Sequence, residues 1–63
     1  MANKDIRDYA KECGVFLWEV SEYLGYAHET AFSRVLRHEL DEDKKWEIRQ
    51  TIDKIADVHR GIL

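Results

Sequence analysis

Two short amphipathic segments meet at Gly25, and this junction limits how the chain can fold. Before the glycine, Leu17, Val20 and Leu24 recur three or four residues apart, which places them on one face of a short helix. Gly25 follows where a helix often ends in a residue of positive φ, a conformation that glycine adopts easily. The segment after it has an apolar stripe formed by Ala31, Phe32, Val35 and Leu36. The pattern predicts two helices joined by a tight turn.

Size and composition favour an all-helical domain. The chain has 63 residues, which allows one domain, residues 1–63, near the lower size limit for independent folding. It contains no proline and three glycines, so helices joined by turns are favoured over strands. We therefore predict a compact all-α domain of four helices, over about residues 4–13, 17–24, 29–38 and 42–59.

Residues at the predicted helix ends agree with these boundaries. Asn3 is a good N-cap for the first helix, and Asp41 is a good N-cap for the fourth. The fourth helix carries an apolar stripe, which leaves Lys44 and Lys45 outside it. The members of this stripe are Ile48, Ile52, Ile55 and Ala56.

The predicted third helix carries polar side chains that are typical of contacts with DNA. Thr30, Ser33, Arg34 and Arg37 lie outside its apolar stripe. Hydroxyl and guanidinium groups are the ones that reach base edges and phosphate oxygens in DNA. Two short helices joined by a bend, with such groups on the second, form the layout of a helix-turn-helix. The alternative for this pair is an αα-hairpin packed in a core.

The segment LWEVSEYLGY, residues 17–26, followed by FSRVLRHEL, residues 32–40, resembles small helix-turn-helix regulators of the phage-repressor class. Such regulators are carried by phages and mobile elements of Gram-positive bacteria, and the likeness spans about residues 4–58. Ser21 stands where that family usually has alanine, and residues 26–31 are one residue longer than its commonest turn. The resemblance implies DNA contacts from the third helix and the turn before it, by His28, Glu29, Thr30, Ser33, Arg34 and Arg37.

The net charge of −3 opposes binding to a polyanion. Residues 26–40, which include the predicted DNA contacts, carry two basic and two acidic side chains, so this segment has no net charge. Lys44 and Lys45 are expected to add phosphate contacts. We expect double-stranded DNA to be bound by a homodimer or by cooperative pairs. The apolar tail, residues 61–63, is either frayed or docked on a second copy.

Several other classes of function are not expected. One cysteine and three histidines lack the paired spacing of zinc sites, so no metal or other cofactor is predicted. No catalytic arrangement or small-molecule substrate site can be read, so we expect no enzyme. No apolar run reaches the length of a membrane span, and the first residues are charged, so we expect a cytoplasmic protein.

An alternative function is a helical protein-interaction module, an accessory or inhibitor protein that keeps the fold without binding DNA. It is favoured by the acidic balance and by a surplus of aromatic residues, namely Trp18, Tyr23, Tyr26 and Trp46. The two tryptophans are otherwise expected to cover the edges of a small core. The operator, the direction of regulation and the oligomeric state stay open at this stage.

Overall fold

The computed structural model describes residues 1–61, which form four α-helices and no strand. The helices are α1 (Lys4–Glu12), α2 (Leu17–Tyr23), α3 (Glu29–Val35) and α4 (Glu42–His59). The predicted all-α class and all four helices are confirmed. Across residues 1–61, none of the helices has the length and apolar character that crossing a bilayer demands. Ile62 and Leu63, the end of the predicted tail, lie outside the described residues.

The long helix α4 is the platform on which the other helices assemble. Both α1 and α2 pack against α4, whereas α3 packs chiefly against α2. The predicted stripe of α4 is confirmed as buried, and Phe32 and Leu36 join it in the core. The remaining core residues are Ile6, Ala10, Val15 and Val20.

Polar contacts show that α1 runs parallel to α4. Near the start of both helices, the Lys45 ammonium lies 3.0 Å from the Asp5 carboxylate. Further along both helices, the Tyr9 hydroxyl donates a hydrogen bond to Asp53. This bond raises the pKa of Tyr9 to about 12, because it stabilises the neutral phenol beside a carboxylate. The loop between α1 and α2 therefore lies towards the C-terminal end of α4.

A glycine of positive φ follows the C-cap of both α1 and α2, and the one after α2 is the predicted Gly25. The φ angles are 71° at Gly14 and 87° at Gly25. At the second site, the Tyr26 N–H donates to the Ser21 carbonyl at 3.1 Å and the Gly25 N–H donates to Glu22 at 3.0 Å. These two bonds form a Schellman motif, which satisfies the last carbonyls of α2 and turns the chain towards α3.

Replacement of Gly25 by alanine should lower the free energy of unfolding by about 1–2 kcal/mol, the cost of placing an L-residue in the left-handed region. A Cβ at this position meets no atom within 4 Å, so the cost comes from the backbone and not from a collision. Urea unfolding followed by circular dichroism measures it. A synthetic chain with D-alanine at position 25 is the matched control and should be as stable as the parent, whereas equal losses from both alanines would contradict the interpretation.

Asn3 does not act as the predicted side-chain cap. Its backbone lies in the left-handed region at φ 57°, and its side chain makes no capping bond to α1. The residue is fully buried, and its amide reaches the loop between α3 and α4. The side-chain nitrogen donates to the carbonyls of Leu36 and His38 at 2.9 and 2.8 Å, and its oxygen accepts from the Leu40 N–H at 2.9 Å. Asn3 thus ties the N-terminus to this loop.

The third helix is shorter than predicted, and the bonds of Asn3 explain the difference. The prediction extended the helix to residue 38, whereas α3 ends at Val35 with Leu36 as its C-cap. Because the Leu36 and His38 carbonyls accept from Asn3, the chain after Val35 is held in a loop. Arg37 therefore lies in the loop between α3 and α4 and not on the helix.

The two tryptophans are more exposed than the prediction of core edges requires. Trp18 is 47% exposed and Trp46 is 63% exposed. Trp46 precedes the buried Ile48 by two residues, which places it about 200° around α4 from that side chain. It consequently lies on the outer face of α4.

Candidate nucleic-acid interface

The exposed side of α3 brings together the residues that the sequence singled out. All six predicted contact residues of this region are exposed, namely His28, Glu29, Thr30, Ser33, Arg34 and Arg37. The opposite side of α3 is anchored by Phe32, whose ring lies 5.4 Å from that of Tyr26. The local fold therefore turns the apolar stripe inward and presents the polar residues to solvent.

Arg34 and Arg37 are available for an external ligand. Arg34 lies in the last turn of α3, and Arg37 follows two residues after the helix ends. Within residues 1–61, neither guanidinium forms a hydrogen bond or an ion pair. A guanidinium carries planar donors that match a phosphate or the O6 and N7 acceptors of guanine.

Lys45 occupies a different environment from the one predicted. Its side chain is only 7% exposed, and its ammonium pairs with the carboxylates of Asp5 and Glu39. The prediction placed it outside the stripe of α4, yet its position three residues before Ile48 puts it on the same helix face. We therefore remove Lys45 from the predicted phosphate contacts. Lys44 is half-buried, and its ammonium lies 3.5 Å from Glu47.

The contacts of Lys45 belong to a polar network that positions the loop carrying Arg37. Glu39, in that loop, accepts from the Asn3 N–H at 2.9 Å and also from Lys45. These two bonds lower the pKa of Glu39, with the Asn3 N–H the larger cause. Asp5 pairs with Lys45 and, at 3.2 Å, with Arg49. Its hydrogen bond to Lys45 is the main reason why the pKa of Asp5 is lowered.

Arg7 is a further cation that sequence reasoning did not assign to this region. Its Nε donates to the Ala2 carbonyl at 3.1 Å, and its Nη2 lies 3.5 Å from the Leu36 carbonyl. It therefore adds positive charge beside the C-terminal end of α3. No local pattern could have revealed this, because Arg7 and Leu36 are 29 residues apart in the sequence.

Comparison of the chain with protein-family models, curated proteins and solved structures finds no match. Within the part of the chain that the structure describes, no group of three or more metal-ligating side chains comes together. The case for a function therefore depends on the geometry of α3 and its neighbouring loop.

The free energy of unfolding should fall as the pH drops below about 4, because the polar network is lost on protonation. Asp5 and Glu39 have ordinary pKa values of 3.8 and 4.5, and both are lowered in the folded chain. Their contribution is therefore present above the ordinary values and is lost as the pH falls through the lowered ones. Urea unfolding at a series of pH values between 7 and about 2 measures this dependence.

Lys45→Met is the matched control for the acid dependence. It removes the ammonium that both carboxylates share but keeps an unbranched side chain at the buried position. The variant should be less stable at neutral pH and should lose less stability on acidification. If the free energy of unfolding of the variant falls as steeply with pH as that of the parent chain, the acid dependence does not arise from the pairing of Asp5 and Glu39 with Lys45.

Proposed function

We propose that this protein is a sequence-specific regulator of transcription that binds double-stranded DNA with α3 in the major groove. The observation that carries the proposal is the exposure of Arg34 and Arg37, neither of which has a partner among residues 1–61. The resemblance of residues 17–40 to phage-repressor regulators supports the same function. On this proposal the protein acts in the cytoplasm of a bacterium that carries the phage or mobile element.

The dimensions of α3 suit such a contact. A helix of seven residues is about 10 Å long, and the major groove of B-DNA is about 12 Å wide. Because α3 packs chiefly against α2, its outer side is open to a ligand. These features support a helix-turn-helix formed by α2 and α3, with the turn at Gly25 between them.

The boundary of α3 suggests different roles for the two arginines. Ser33 and Arg34 lie on the helix, and we assign them to base edges in the groove. Arg37 lies in the loop that Asn3 and Glu39 hold, and we assign it to the phosphate backbone. Thr30 and His28 lie near the start of α3, and we assign them to DNA contacts at the end of the helix opposite Arg34.

The first test is a selection of duplexes from a random library, followed by gel-shift titration of the enriched sequence. Arg34→Ala should raise the dissociation constant between about 5- and 150-fold, the equivalent of losing ~1–3 kcal/mol from a base contact, and should relax the preference at one position. Arg37→Ala should weaken all duplexes alike and should reduce the dependence on salt by about one counterion.

Lys54→Ala is the matched control for these arginine variants, because Lys54 is an exposed cation on α4, away from α3. It should bind the selected duplex as tightly as the parent chain does. Failure of the library to yield a preferred duplex, or equal binding by all three variants, would count against the proposal. Circular dichroism checks that each variant keeps its helices.

A protein-interaction module is the second candidate, and the exposed aromatic residues favour it. Phe16 is 66% exposed and Trp46 is 63% exposed. Such residues are enriched where proteins bind one another. Salt separates the two functions, because DNA binding should weaken steeply between about 50 and 200 mM salt whereas an apolar interface should respond little.

A further inference from the structure

An apolar groove lies between the end of α1 and the start of α2. Its volume is about 360 Å³, and its apolar lining comes from Ala10, Val15, Phe16 and Leu17. Phe16 forms one wall and is stacked on Trp18, with ring centroids 6.4 Å apart and an angle of 12° between the planes. Exposed aromatic walls of this kind provide a seat for an apolar anchor from another molecule.

Two cations border this groove. Arg7 and Lys11 both line it, one turn apart on α1. Arg7 contacts carbonyl oxygens, so its charge is not cancelled by a carboxylate. Lys11 is exposed and forms no ion pair within residues 1–61. An occupant of the groove should therefore combine an apolar anchor with negative charge.

The outer face of α4 has this combination. Trp46 is 63% exposed, and within four residues of it on α4 the three carboxylates Glu42, Asp43 and Glu47 outnumber the two cations that are not buried, Lys44 and Arg49. Glu42 has a distant contact with Arg49 at 3.9 Å, and Glu47 lies 3.5 Å from Lys44. Asp43 is exposed and has no cationic partner among the described residues.

One molecule cannot bring these two surfaces together. His59, at the end of α4, lies 2.8 Å from Glu19 in α2, so the groove is near the C-terminal end of α4. Trp46 is 13 residues before His59, which separates them by about 20 Å along the helix. Trp46 also points away from the buried stripe of α4, as its exposure shows. Trp46 therefore cannot reach the groove of its own molecule.

We propose that the groove binds Trp46 of a second copy of this chain, in a head-to-tail contact. The acidic residues around Trp46 then face Arg7 and Lys11, and the Trp46 ring packs against Phe16. In such a contact one copy contributes the groove and the other contributes Trp46, so each copy keeps one surface free for a further copy, and the contacts build open chains or rings. The contact does not involve α3, and it requires neither DNA nor the proposed regulatory function.

Sedimentation equilibrium of the full chain without DNA tests this proposal. A single tryptophan anchor makes a weak interface, so the series should reach about 1 mM protein. The average mass should rise with concentration beyond twice the monomer mass of 7.5 kDa. A chain that stays monomeric throughout, or one whose mass stops at a dimer, would overturn the head-to-tail arrangement.

Two alanine variants identify the surfaces. Trp46→Ala and Phe16→Ala should each raise the dissociation constant about tenfold or more, the loss expected for an aromatic anchor or its seat. An equimolar mixture of the two variants should form complexes of two chains, since one retains the groove and the other retains the anchor. Tyr23→Ala is the matched control, because Tyr23 is an exposed aromatic residue outside both surfaces. If its effect equals that of Trp46→Ala, the assignment is wrong.

A charge exchange tests the orientation. Lys11→Glu and Asp43→Lys should each raise the dissociation constant about fivefold, as exposed charge pairs do when they are broken. The doubly exchanged chain restores opposite charges and should recover most of the affinity. If the double variant has a dissociation constant as high as those of the single variants, Lys11 and Asp43 do not face each other across the interface. Circular dichroism confirms that each variant is folded before its mass is compared.

Discussion

The buried amide of Asn3 is the contact on which the position of α3 depends. Its nitrogen donates to two carbonyls of the loop after α3, and its oxygen accepts from the Leu40 N–H. Each of these buried groups would cost about 1–3 kcal/mol if it were left without a partner. The loop is therefore held in one conformation, and α3 ends at Val35 for that reason.

Lys45 links the start of α1 and the loop after α3 to α4. Burial of a cation is unfavourable unless oppositely charged groups surround it, and here Asp5 and Glu39 supply that charge. Because Glu39 also accepts from the Asn3 N–H, the start of α1, the loop and α4 are held at one point. Hydrogen bonds of fixed geometry thus supplement a small apolar core in positioning the surface that carries Arg37.

The net charge of −3 is a poor guide to the field around α3. Some carboxylates are paired with a cation of the same molecule, as Asp5 and Glu39 are with Lys45. In contrast, the arginines near the end of α3 have no carboxylate partner among residues 1–61. The local distribution of paired and free charge therefore matters more to a bound polyanion than the sum does.

The sequence alone determined the helical class, the four helices and the glycine after α2, because apolar periodicity and positive φ are local properties. It also predicted the exposure of Arg34, which follows from the stripe containing Phe32. Only the tertiary structure decided that Asn3 holds a loop, that Lys45 pairs with Asp5 and that α3 ends early. Those outcomes depend on partners 33 to 40 residues away in the chain, which no local pattern encodes.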